Sequence, residues 1–150
     1  MGFQAGYSNT TGNSNTAIGV VAMFANTSGN YNVAVGRQAL DANTGGSNST
    51  ALGYASLTSA TGTGDRNNCA VGFQSGQNAT TASELVLMGK NSGRYITTGD
   101  SNIVLGNEAG AGLRGSAITT GASNILIGRQ VDVNSAGDSY CGVIGVHSVG

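Results

Sequence analysis

Short apolar clusters recur along this chain, and each ends in glycine. They are Ala17-Ile18-Gly19, Ala34-Val35-Gly36, Ala51-Leu52-Gly53 and Ala70-Val71-Gly72, followed by Leu87-Met88-Gly89, Val104-Leu105-Gly106, Leu126-Ile127-Gly128 and Val143-Ile144-Gly145. Gly2 opens the series, because Gly2-Phe3-Gln4-Ala5-Gly6 echoes Gly72-Phe73-Gln74-Ser75-Gly76. The steps between these repeat glycines are 17, 17, 17, 19, 17, 17, 22 and 17 residues. Two repeats therefore carry insertions, of two residues near Gly62 to Asp65 and of five near Ala111 to Ser116. Surface loops tolerate extra residues confined to one part of a repeat. The clusters read as short strands. Runs between them, such as Ser8-Asn9-Thr10-Thr11-Gly12, have the composition of turns.

A period of 17 is too short for a helical-hairpin repeat and suits one coil of a solenoid, with two short strands and two turns. The pattern predicts an all-β chain, a parallel β-solenoid of about eight 17-residue coils spanning 1–150 as one repeat domain. Coils stacked about 4.8 Å apart give a rod of roughly 40 Å. Both ends stop within a repeat, so the chain is expected to be a segment of a longer fibre.

Further columns keep the same phase. Three residues after the glycine stands a small residue (Ala5, Ala22, Ala39, Ser56, Ser75, Ser92, Ala109), a column that Val131 breaks. Eight residues after it stands threonine (Thr10, Thr27, Thr44, Thr61, Thr80, Thr97 and, past the insertion, Thr119). Four residues before it stands asparagine in most repeats (Asn15, Asn32, Asn68, Asn102, Asn124).

Side chains alternate faces along a strand. The residue just before the glycine is always large: Ile18, Val35, Leu52, Val71, Met88, Leu105, Ile127, Ile144. This column is expected to form the interior core. The preceding column is Ala17, Ala34, Ala51, Ala70, Leu87, Val104, Leu126, Val143. It is expected to face outward and to form an inter-chain face, because a thin coil cannot bury both faces and a long apolar stripe calls for association.

The pattern Asn-x-Ala-(Ile/Val/Leu)-Gly-x-x-(Ala/Ser), best seen in Asn15 to Ala22 and Asn32 to Ala39, resembles the head repeats of YadA-like trimeric autotransporter adhesins. The longer form ending as Asn26-Thr27-Ser28-Gly29 is similar to repeat regions of phage tail fibres. The resemblance covers essentially the whole chain. It implies a left-handed parallel β-roll, a homotrimer around one axis and a role in host or surface attachment. It also implies an extracellular place, on a virion tail fibre or a bacterial cell surface. Leu85-Val86-Leu87-Met88 departs from the pattern by lacking both the asparagine and the small alanine.

Composition narrows the function. Charged residues make up 9% of the chain and the net charge is −1. Lys90 is the one lysine and the arginines (Arg37, Arg66, Arg94, Arg114, Arg129) are scattered, whereas a nucleic-acid surface needs them clustered. No apolar run approaches the ~20 residues of a membrane-spanning helix. No basic, apolar leader follows Met1. Proline is absent, which fits a backbone whose donors are used in ladders.

Candidate chemistry is sparse. Gly110-Ala111-Gly112-Leu113-Arg114-Gly115 matches the dinucleotide fingerprint in letters, but it fills an insertion without the required βαβ setting and is expected to be a flexible surface loop. His147 has no acid and nucleophile at matching positions. Asp41, Asp65, Asp100, Asp132 and Asp138 share no column, so no calcium lattice is expected, and no Cys/His spacing suggests zinc. Cys69 and Cys141 lie four coils apart, about 19 Å, too far for a disulfide. They read as two small buried residues, with Cys69 a candidate to meet its own copies at a three-fold axis.

The asparagine sequons at Asn9, Asn26, Asn48 and Asn78 follow from composition. Phe3, Tyr54 and Phe73 share the position after the glycine and are among the candidates for ligand contact. The threonine column raises a competing reading, a monomeric ice-binding or glycan-binding solenoid. The expectation is a structural fibre segment rather than an enzyme, without cofactor or metal. Its partners are expected to be copies of itself and a cell-surface glycan or protein receptor, reached in part through the loops Thr63 to Asn67 and Ala111 to Ser116.

Overall fold

A computed structural model describes residues 2–146; His147 lies outside them. Among the described residues there is no helix. Ten strands of three residues follow one another: β1 (Thr16–Ile18), β2 (Val33–Val35), β3 (Gly45–Ser47), β4 (Thr50–Leu52), β5 (Thr63–Asp65), β6 (Cys69–Val71), β7 (Val86–Met88), β8 (Ile103–Leu105), β9 (Ile125–Ile127) and β10 (Gly142–Ile144). Eight of them form one parallel sheet in the order β1-β2-β4-β6-β7-β8-β9-β10, and β3 pairs with β5 in a second, two-stranded sheet. The register is the repeat itself. Ala17 lies opposite Ala34, then Ala51, Ala70, Leu87, Val104, Leu126 and Val143. The chain is a β-solenoid of about eight coils.

Hydrogen bonding between coils continues past the strands. In the turn after each repeat glycine, Gly6 N–H donates to Ala22 O, Met23 to Ala39, Leu40 to Ser56 and Leu57 to Ser75, at 2.9–3.1 Å. Turning the chain this tightly needs left-handed residues. Two and four residues after the glycine, and five before it, the backbone has positive φ, as at Val21 (51°), Met23 (51°) and Ser14 (57°) in one coil. An L residue in that region costs about 1 kcal/mol or more. The ladder to the next coil offsets it, and the same positions are left-handed coil after coil.

The repeat glycine meets a harsher demand. Gly53 has φ 138°, and a β-carbon there would meet the Gly72 backbone, 2.7 Å from its carbonyl carbon. Both the conformation and the closeness exclude a side chain. The glycine column thus lets consecutive coils touch backbone to backbone.

Burial reverses the expected assignment of the two apolar columns. Ala34, Ala51, Ala70, Leu87, Val104 and Leu126 are 0% exposed, Val143 is buried and Ala17 is packed against the same core. Ile18, Leu52, Met88 and Ile144 are exposed, and Val35, Val71, Leu105 and Ile127 are half-buried. The column expected to be an inter-chain face is the core, and the column expected to be core faces outward. The reason is the length of the strand. With three residues, only the middle one points inward, and the two flanking ones share the outer face.

The core explains why the inner column varies in size. The alanines Ala34, Ala51 and Ala70 at the strand centre accompany Met23, Leu40 and Leu57 in the preceding turn, all buried. Further along, the strand centre is Leu87, Val104 or Leu126, and the same position of the preceding turn is Gly76, Gly93 or Gly110. A β-carbon on Gly76 would lie 2.6 Å from Leu87 Cδ1, and one on Gly93 2.8 Å from Leu87 Cδ2. Large residues are thus exchanged between two walls while the filled volume is kept, as close packing demands.

Asparagines run through the interior as a ladder. Asn32 Oδ1 accepts from Ser49 N–H (2.9 Å), and Asn32 Nδ2 donates to Gly46 O (2.8 Å). Asn68 does the same with Leu85 N–H (3.0 Å) and Ala82 O (3.0 Å), and Asn124 with Cys141 N–H (2.9 Å) and Asp138 O (2.8 Å). A second ladder joins Asn9, Asn26 and Asn43, the latter two buried, through amide-to-amide bonds of 2.8 and 3.0 Å. Asn26 is therefore buried within its ladder and not presented as a glycan acceptor. Buried polar groups cost little only when paired, and each amide here pairs backbone groups that the turns leave open. Before Gly53 the same column holds Ser49 in place of asparagine, and it too is buried.

Two predictions follow from these ladders. Gly53→Ala is expected to destabilise the protein by about 3 kcal/mol or more, while Gly64→Ala, at φ 79° with nothing within 4 Å of the added carbon, costs about 1 kcal/mol; denaturant unfolding followed by circular dichroism compares the two. Asn68→Ala leaves a buried N–H and C=O unpaired and is expected to cost about 2–4 kcal/mol in the same measurement.

Candidate functional site

Three surfaces stand out on the rod. The first is the outer face of the eight-stranded sheet. Ile18, Leu52 and Met88 are between 45% and 50% exposed there. Val33, Val86 and Ile125, two positions earlier in their strands, are exposed on the same side. Eight strands about 4.8 Å apart make this face about 34 Å long. The column from Ile18 to Ile144 makes one apolar row along it, while Thr16, Thr50 and Gly142 interrupt the row beside it; extended exposed apolar surface marks contact sites. Cys69 belongs to this face and is half-buried, as is Cys141. Both are free thiols and neither is fully buried, in contrast to the expectation of two buried residues.

The second surface is built by the five-residue insertion. The carboxylate of Asp132, itself fully buried, accepts hydrogen bonds from Gly112 N–H (2.8 Å), Arg114 N–H (2.7 Å) and Gly115 N–H (3.3 Å). Ser116 N–H donates to Val133 O (2.8 Å). The expected flexible loop is instead tied down at both levels. Its glycine-rich run does form an anion-binding nest, and the anion is the chain's own Asp132. Beside it lies a cavity of about 170 Å³ lined by Asn91, Arg94, Tyr95, Glu108, Ala111 and Leu113.

The third is the row after the repeat glycines. Tyr54 and Phe73 stack at 5.1 Å with their planes 16° apart, and the Arg37 guanidinium lies 5.7 Å from the Tyr54 centroid. Phe3 shares the column but stands apart and is exposed. Tyr7 and Phe24 make another stacked pair at 5.4 Å.

The threonine column is chiefly a stitch between coils. Thr10, Thr27, Thr80 and Thr97 hydroxyls donate to the carbonyls of Thr27, Thr44, Thr97 and Thr119, at 2.9–3.1 Å. The smaller insertion is not a loop throughout, because Thr63–Asp65 is strand β5, exposed along its length. Burial raises the Asp41 carboxyl above its ordinary value of 3.8. Among the described residues no group of three or more His, Cys, Asp or Glu side chains is placed to hold a metal ion. No described helix is long and apolar enough to cross a membrane.

No family model matches this chain, and neither a curated protein nor a solved structure matches it.

Sequence reasoning found the columns but missed Asp132. One signal was available: it is an acidic residue one coil beyond a glycine-rich insertion. Asp132→Ala is expected to free the insertion, costing about 2–4 kcal/mol and opening the Arg114–Gly115 bond to trypsin. Limited proteolysis followed by mass spectrometry reads the cut, and Asp132→Asn, which keeps one acceptor oxygen, is expected to be cut more slowly than the alanine variant.

Proposed function

We propose that this chain is a structural fibre segment that works as a homotrimer and contributes to host or surface attachment, on a phage tail fibre or a bacterial surface adhesin. The observation that carries the reading is the apolar outer face of the eight-stranded sheet. A soluble monomer rarely leaves so long an apolar stripe in water. Three copies arranged about an axis parallel to the rod would each turn this stripe inward, and a closed ring leaves none of it exposed.

The face has the properties such packing needs. Its residues are uniformly large from β1 to β10 at the position before the glycine. Uniform size suits a contact that repeats along an axis, whereas the inner column varies because it is matched locally to its own turn. Cys69 on that face would then approach its copies.

The function is mechanical. Every coil is bonded to the next by main-chain and side-chain ladders, so bending the rod would break bonds at several columns together. Attachment falls to the surfaces turned away from the axis, the inserted loop and the aromatic row among them. The resemblance to adhesin-head and tail-fibre repeats points the same way, and the fold supplies no competing chemistry that would favour an enzyme.

Analytical ultracentrifugation tests the assembly. The expected species has three times the chain mass of 14.8 kDa. Leu52→Asp combined with Met88→Asp places charges on side chains that a single chain already exposes, so each coil still folds. In the trimer each unpaired buried charge costs several kcal/mol, and the variant is expected to sediment as a monomer. A stable monomer of the unaltered chain would overturn the proposal.

A further inference from the structure

The cavity beside the insertion has a chemistry that the repeat does not account for. Its walls come from two successive coils. Asn91, Arg94 and Tyr95 lie in the turn after Gly89, Glu108 in the turn after Gly106, and Ala111 and Leu113 in or beside the insertion. Elsewhere the position two residues after the glycine is held by Gln4, Val21, Gln38, Ala55 and Gln74. From Gln74 through Asn91 and Glu108 to Gln130 this column is polar, and Asn91 and Glu108 of that run lie beside the insertion.

These groups are short of hydrogen-bond donors. Asn91 Oδ1 is buried without a partner, and so is Gln130 Oε1. Glu108 Oε2 accepts from Gln130 Nε2 at 2.9 Å. Arg94 Nε donates to Gln77 Oε1 at 2.9 Å, which fixes the guanidinium 5.4 Å from the Tyr95 ring centroid. Tyr95 and Leu113, both exposed, add apolar surface.

We infer that this cavity binds a single neutral sugar residue. A polyol carries hydroxyl donors for Glu108, acceptors for Arg94, and C–H surface for Tyr95 and Leu113. A phosphate would meet the carboxylate of Glu108, and a metal or ammonium cation would meet Arg94. A cavity of about 170 Å³ has the room of about six water molecules. That suits one pyranose ring and is below the usual range for larger ligands. The site rests on the insertion, which gives the five added residues a use, and it deepens the attachment reading by naming the class of receptor. A dissociation constant of about 1 mM is expected for one ring, and repetition in an assembly would raise the apparent affinity.

Saturation-transfer NMR on the full chain, with the methyl pyranosides of glucose, galactose, mannose and N-acetylglucosamine as probes, tests it. Transfer to at least one pyranoside is expected. It should weaken at least tenfold in Tyr95→Ala and in Glu108→Gln, with the thermal melt of Tyr95→Ala unchanged because that ring is exposed. No transfer from any of the four at about 20 mM, some twentyfold above the expected constant, overturns the inference. So does unchanged transfer in both variants, or broadening of the phosphorus resonance of inorganic phosphate with no transfer to any pyranoside. Sedimentation of the same samples keeps the two proposals apart: a trimer that binds no sugar sinks only this site, and a monomer that binds one sinks only the assembly.

Discussion

Parallel pairing of each coil with the next is the constraint on which the rest of this molecule depends. It places residue upon like residue at one strand spacing. Any residue that suits one coil must therefore also suit its neighbours above and below. The repeat glycine shows the consequence most clearly. Two such backbones meet so closely that no β-carbon fits between Gly53 and Gly72. The left-handed turn residues, the buried asparagine amides and the threonine hydroxyls all answer to the same stacking. Each spends its hydrogen-bonding groups on the adjacent coil.

A coil of 17 residues encloses little space, so the interior is settled by matching pairs rather than by a broad core. Alanine at the strand centre goes with Met23, Leu40 or Leu57, and Leu87 goes with Gly76 and Gly93. This trade is visible only when two columns are compared. It leaves the first coil unusual, since Gly6 and Ala17 are both small. A cavity of about 160 Å³ lies there, lined also by Met23, Asn9, Asn15 and Asn26.

The outside of the rod is where the repeat gives way to individuality. The large column before the glycine makes one long apolar face. The insertion makes a rigid protrusion, held by three amides on one buried carboxylate. Placing the added residues away from the sheet lets the ladder pass the interruption, and Val104 still pairs with Leu126 across the 22-residue step.

The period, the parallel all-β architecture, the phase of the glycine column and the sites of both insertions are legible in the chain alone. These follow from spacing alone, because the register of the sheet is the repeat of the chain. Which apolar column faces inward was decided by the tertiary structure. Alternation says that Ala51 and Leu52 point to opposite sides, but not which side is inside, and a constant large residue was the misleading cue. The path of the turns settles it by carrying Leu57 and its equivalents over the strand centre. The hold of Asp132 on Gly112, Arg114 and Gly115 was likewise beyond the sequence, since it joins residues about one coil apart through a loop that matches no other repeat.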